Sequence, residues 1–176
     1  MRRRAAIILA ALLFPLSAVA QPAPAQVDVC FTPAQHCQPR IVEAINTARN
    51  EIEVQAYYFT SVPILGALAA AKQRGVNVQV ILDKANITAQ YSGASYVAHV
   101  GIPVWIDNRP AIAHNKTIII DRRLVIGGSY NYTASAETRN AENVLFLESP
   151  TLAAEFLANW QSRRQASMPF SAPLGG

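Results

Sequence analysis

His114 and Lys116 stand one residue apart and Asp121 follows, in the spacing H-x-K-x-x-x-x-D. Gly127-Gly128-Ser129-Tyr130-Asn131 comes shortly after, then Glu142-Asn143. In an extended strand, side chains two positions apart share a face. The spacing therefore predicts His114 and Lys116 on one side of a strand, with Ser129 and Asn131 on one side of its hairpin partner. An imidazole, an ammonium, a hydroxyl and an amide would converge. Gly127 and Gly128 carry no side chains and would let a substrate approach the backbone.

That set suits phosphoryl chemistry. A phosphodiester is an anion and gains charge in its transition state. Lys116 would supply positive charge, while Ser129 and Asn131 would donate hydrogen bonds. Histidine serves as a nucleophile or as an acid–base group near neutral pH. Glu142 is the candidate orienter, accepting a proton from one ring nitrogen of His114. Asp121, at the expected hairpin turn, is assigned to turn chemistry. Taken singly, each residue has a plainer reading: a structural histidine, a solvated lysine, a surface acid. The joint spacing carries the inference.

Helices and strands must position this set. Strands are predicted over 27–31, 52–59, 76–82 and 102–106. Helices are predicted from Pro39 through Ala48, from Pro63 to Gly75, over 92–100 and over 151–164. A hairpin follows the fourth strand, pairing 113–120 with 124–130 across Asp121-Arg122-Arg123, and then a strand over 143–147. The order βαβαβαβ, hairpin, strand, helix implies an α/β domain with a mixed central sheet flanked by helices. Its 176 residues fit one domain with a real core, and no internal repeat is visible.

The N-terminus reads as an export signal. Arg2, Arg3 and Arg4 precede the apolar run Ala5 to Phe14, and Ala18-Val19-Ala20 offers a cut after Ala20. Residues 21–26 read as a flexible leader, 27–168 as the catalytic domain and 169–176 as a disordered tail. The chain has 15 Lys and Arg against 11 Asp and Glu, and removing the three signal arginines leaves 12 against 11. A basic global charge therefore says little about partners, and any basic footprint must be local. In an exported chain Cys30 and Cys37 are expected to form a disulfide. With His36 they provide too few ligands for a structural zinc site.

The motif resembles that of the phospholipase D superfamily, which reads H-x-K-x-x-x-x-D followed by Gly-Ser and an Asn. His114, Lys116, Asp121, Gly128, Ser129 and Asn131 all match. Gln55-Ala56-Tyr57, the run 71–76, the run 137–143 and the late helix with Trp160 are similar to the small bacterial secreted or periplasmic endonucleases of that superfamily. The resemblance implies a phospholipase D-like fold with one motif per chain, where larger members carry two. It implies a phosphohistidine intermediate, no metal and no cofactor, and a homodimer in which a second copy supplies the second histidine. Nucleic acid is the expected substrate, DNA or RNA, with no stable membrane association after signal cleavage. A lipid phosphodiesterase or transphosphatidylase is the alternative, and a catalytically idle binding protein the third class. Lys84, Arg109 and Arg139 are candidate phosphate contacts. Tyr58, Phe59 and Tyr91 are candidate base-stacking residues.

Overall fold

The structure is a computed structural model that describes residues 25–88 and 92–171. The expected signal segment, residues 21–24 of the expected leader, Tyr91 and residues 172–176 of the expected tail lie outside the described residues.

The elements run β1 (Gln26–Thr32), α1 (Cys37–Thr47), β2 (Glu51–Ala56), α2 (Val62–Gln73), β3 (Asn77–Asp83), α3 (Ala85–Thr88), α4 (Gly93–His99) and β4 (Val104–Asp107). They continue with β5 (Lys116–Ile120), β6 (Leu124–Gly128), α5 (Ala134–Thr138), β7 (Glu142–Glu148), α6 (Pro150–Ala166) and β8 (Met168–Phe170). The strands form one sheet in the order β1-β7-β6-β5-β2-β3-β4-β8. β2, β3 and β4 are parallel, and every other pairing is antiparallel. This is the mixed α/β sheet expected from the sequence. No helix among the described residues is long and apolar enough to cross a membrane.

Strand alternation builds two layers of core. On one face Ile52, Val54, Val78, Val80, Leu82, Ile118 and Ile120 pack with Ile41 and Ile45 of α1, Ile64 and Leu68 of α2 and Val97 of α4. On the other, Ile81, Ile119 and Val125 meet Ala153, Leu157 and Trp160 of α6. Burying a side chain such as Leu157 stabilises by about 1.5–3 kcal/mol. Trp160 also satisfies its polar atom, donating from Nε1 to the Val54 carbonyl at 2.9 Å. α6 starts where Ser149 Oγ accepts from the Leu152 N–H and Pro150 occupies the first turn. Its Arg163 makes a bidentate pair with the fully buried Asp107 at the end of β4.

Cys30 and Cys37 form a disulfide that ties β1 to α1. Pro169 and Phe170, assigned from sequence to a disordered tail, instead belong to β8, which covers the outer edge of β4. Phe170 packs against the core there, an apolar contact that a search for turn and tail composition does not register.

Asp121 follows β5 in the left-handed region, with φ 50°, and its carboxylate staples the hairpin turn to the α1–β2 loop. It accepts N–H bonds from Arg49, Asn50 and Glu51 at 3.0, 2.8 and 3.1 Å. Burial pushes this carboxyl up, but those N–H groups and Arg123 outweigh it and hold it below the ordinary value. Glu53 behaves oppositely. It is buried under α6, and burial, with Glu51 and Asp121, pushes its carboxyl up to about 7 against the pull of Arg122.

Thermal melts across pH separate these two carboxylates by sign. The stabilisation from Asp121 is present above its ordinary pKa and disappears as pH falls below it. Asp121→Asn should therefore cost about 1–3 kcal/mol at neutral pH, with the gap to the parent closing below about pH 4. Folding raises the Glu53 pKa, so the parent loses stability as pH climbs from 4.5 through about 7. Glu53→Gln should gain on the parent between about pH 5 and about pH 8. A pH-independent difference for either variant would contradict its assignment.

Candidate active site

One edge of the sheet collects the chemistry. The parallel strands β2, β3 and β4 end there at Ala56, Asp83 and Asp107, β5 begins there at Lys116, β6 ends at Gly128 and β7 begins at Glu142. Lys116 lies directly across from Ala56. Ligands of open α/β sheets bind outside the carboxyl ends of the parallel strands, where strand order reverses. Here β2 is that point, with β3 parallel on one side and β5 antiparallel on the other.

His114 and Lys116 come together, though not as two positions of one strand. Pairing begins only at Lys116. The preceding segment is caught by Asp83, whose Oδ2 accepts from the Ala113 N–H at 2.7 Å. This bond diverts the chain before it can join the sheet, and it leaves the His114 side chain exposed. Lys116 is buried and donates from Nζ to the His114 carbonyl at 2.7 Å. Burial lowers its ammonium pKa, and the Glu142 charge opposes that shift.

Ser129 and Asn131 also lie beyond their strand. Gly128 ends β6 with φ +135°, and a Cβ there would stand 2.3 Å from the Asn143 carbonyl oxygen. Only glycine suits both demands. Past this bend Ser129 Oγ donates to Glu142 Oε2 at 2.6 Å and accepts from the Asn143 N–H at 3.1 Å. Asn140 Nδ2 donates to the other Glu142 oxygen at 2.9 Å. The expected Glu142–His114 contact is thus corrected: this carboxylate is taken by Ser129 and Asn140. Asn131 is half-buried, and its side-chain amide makes no hydrogen bond among the described residues. The chain just after it is zipped to the β2–α2 loop, where Tyr132 O accepts from the Thr60 and Ser61 N–H groups, each at 2.8 Å.

Of the peripheral candidates, Lys84 and Arg109 occupy this same edge, following β3 and β4. Lys84 Nζ reaches the Pro110 carbonyl at 3.5 Å, and Arg109 Nε reaches the Ala166 carbonyl at 3.4 Å. Arg139 is exposed just before β7. Phe59 is fully buried and packs edge-on to Tyr132, so it cannot stack on a base. Tyr58 is exposed.

Three residues of the site escaped the sequence reading of roles. Asp83 and Asn86 organise the edge, since Asn86 Nδ2 donates to the Tyr57 carbonyl at 2.6 Å. Tyr57 packs edge-on to the His114 ring, with centroids 4.7 Å apart. An acid at the end of a buried strand was the available signal for Asp83, and the Gln-Ala-Tyr run for Tyr57. Among the described residues no three His, Cys, Asp or Glu side chains gather as metal ligands.

The family described as "Cardiolipin synthase, PLD-like domain" matches residues 41–163. A protein named phospholipase D from Rickettsia bellii is 43% identical over 146 residues, 83% of this chain and 73% of that protein. The phospholipase D of Rickettsia prowazekii is 45% identical over 141 residues, 80% of this chain and 69% of that one. In structure, the phospholipase D family member Nuc from Salmonella typhimurium superposes with a TM-score of 0.80 at 36% identity, over 84% of this chain and 99% of that one. NucT from Helicobacter pylori, 20% identical, shares the fold with a TM-score of 0.75, over 84% of this chain and 100% of that one. With its motif residues gathered on one sheet edge and these matches running through nearly all of the described fold, the chain belongs to the phospholipase D superfamily of phosphodiesterases.

Proposed function

We propose that the chain is a nuclease of this superfamily, cleaving nucleic-acid phosphodiester bonds without a cofactor. The observation that carries this reading is the openness of the site. His114 is exposed on a sheet edge that also presents Tyr58, Lys84 and Arg109, an arrangement a long polyanion can cross. The resemblance of the mature chain to the small endonucleases of the superfamily supports it. Lipid phosphodiester cleavage is the second reading, favoured by the name phospholipase D that the Rickettsia relatives carry. Incubation with single-stranded and double-stranded circular DNA and with phosphatidylcholine vesicles separates the two. Nicked circles and intact lipid are expected, and lipid turnover with intact circles would reverse the choice.

In the proposed reaction a ring nitrogen of His114 attacks phosphorus. A P–N bond forms and the P–O bond to the leaving group breaks. The leaving oxygen takes a proton from the imidazolium of His114 in a second copy of the chain. Water then attacks phosphorus, the P–N bond breaks, and the second imidazole accepts the proton that water gives up. Lys116 and Asn131 hold the phosphoryl oxygens, while Ser129, its one hydroxyl proton given to Glu142, buttresses the chain that carries Asn131. With one motif in the chain, the two histidines meet across a two-fold axis. The disulfide suits an oxidising compartment, so export to the periplasm or beyond, with cleavage after Ala20, belongs to the same proposal.

Because Lys116 supplies the positive charge at the phosphate, activity should survive a strong chelator at full rate. Loss of activity in EDTA with recovery on adding magnesium would overturn the mechanism.

Mixed dimers test the shared site. Parent and His114→Ala chains are co-refolded so that they pair at random. At parent fraction f, competent dimers occur as the square of f, and activity should fall more steeply than linearly. A linear curve from exchanged dimers would assign each chain an independent site.

A further inference from the structure

Tyr57 and Tyr58 leave the sheet where β2 ends, and their rings form a short ladder to the nucleophile. Tyr57 lies edge-on to His114 at 4.7 Å, and the Tyr58 ring is 4.2 Å from Tyr57 between centroids. Lys116 Nζ stands 5.4 Å from the Tyr57 centroid, within cation–π range. The outer ring, Tyr58, is 43% exposed.

This exposed ring is held. The Tyr57 carbonyl is bound by Asn86 Nδ2, and the Tyr58 carbonyl accepts from the Tyr132 N–H at 3.2 Å. Phe59, next in the chain, is buried and bridges to Tyr132. The Tyr57 hydroxyl donates to the Tyr58 hydroxyl at 3.4 Å, which links the two rings at their tips. An exposed tyrosine on backbone held from both sides, one ring away from His114, is a pre-organised stacking surface.

We propose that Tyr58 is the platform for the base next to the scissile phosphate, and that the enzyme therefore selects unpaired nucleotides. Resting on the nuclease reading, this names its substrate class as single-stranded nucleic acid. In a duplex the faces of each base are already covered by neighbouring base pairs, so Tyr58 has nothing to stack on. A single strand can turn one base onto the ring while its phosphate reaches His114. Stacking of this kind needs a π-face and tolerates any sequence. The Tyr57 ring, pressed between Tyr58 and His114, fixes the separation between platform and nucleophile.

Steady-state cleavage by the parent, Tyr58→Ala and Tyr58→Phe tests this. The substrates are a single-stranded oligonucleotide, its duplex, and a base-free oligomer of tetrahydrofuran phosphates. On the single strand Tyr58→Ala should raise KM by about tenfold or more with a smaller change in kcat, and Tyr58→Phe should recover most of that loss. The parent on the base-free oligomer should show the raised KM of the alanine variant, and the alanine variant should lose nothing further there. The parent should cleave the duplex at least about tenfold less efficiently than the single strand. Equal efficiency on duplex and single strand, or an unchanged KM for Tyr58→Ala, would overturn the stacking proposal while leaving the nuclease reading intact. A Tyr58→Phe protein as impaired as Tyr58→Ala would also overturn it, by moving the role to the hydroxyl contact with Tyr57. Failure of the parent to cleave any oligonucleotide would overturn the nuclease reading and the proposal together.

Discussion

The bond from the Ala113 N–H to Asp83 Oδ2 decides where His114 stands. Asp83 is 2% exposed, and its other oxygen accepts from the Ala85 N–H at 2.8 Å. A buried carboxylate needs partners of this kind, because burial without them is costly. Here the partners are two backbone groups from separate loops, one leading into α3 and one leading into β5. Satisfying Asp83 therefore fixes the path by which the chain returns across β3 toward β2. His114 is the next residue, and it enters the edge with its ring exposed and packed edge-on to Tyr57.

The rest of the sheet supports that edge. β2, β3 and β5 are buried on both faces, which fixes their register, since a one-residue slip would turn every apolar side chain into the wrong layer. Lys116 is thereby locked opposite Ala56. At the far end of β5, Asp121 pins the hairpin to the start of β2 with three backbone hydrogen bonds. The motif thus holds β5 at both ends: Asp121 fixes the turn, and Lys116 bonds the carbonyl of His114. The motif aspartate bonds three backbone N–H groups at that turn.

The sequence made the fold class, the strand order along the chain, the disulfide and the motif itself legible. Period-two and period-3.6 apolar patterns are strong in β3, β5 and α6, and those elements are found within a few residues of their predicted bounds. The misplaced site residues share one cause. His114, Ser129 and Asn131 were placed by strand alternation, but Asp83 and Gly128 break the strands just short of them. Both breaks depend on contacts far apart in the chain: Ala113 with Asp83, and the close approach of Gly128 to Asn143. Glu142 finding Ser129 in place of His114 is of the same kind, as is the docking of β8 on β4. Short α3 and α5 carry too few residues for a periodic signal.

In the proposed reaction His114 forms a covalent bond to phosphorus. The most direct measurement is rapid acid-free quenching of a single turnover on a phosphoryl-labelled oligonucleotide, followed by peptide mapping by mass spectrometry. A phosphoryl adduct that still carries one fragment of the oligonucleotide is predicted on the peptide containing His114, labile to acid and absent from His114→Ala. Full turnover with no protein-bound phosphoryl group at any time, or an adduct on another residue, would contradict it.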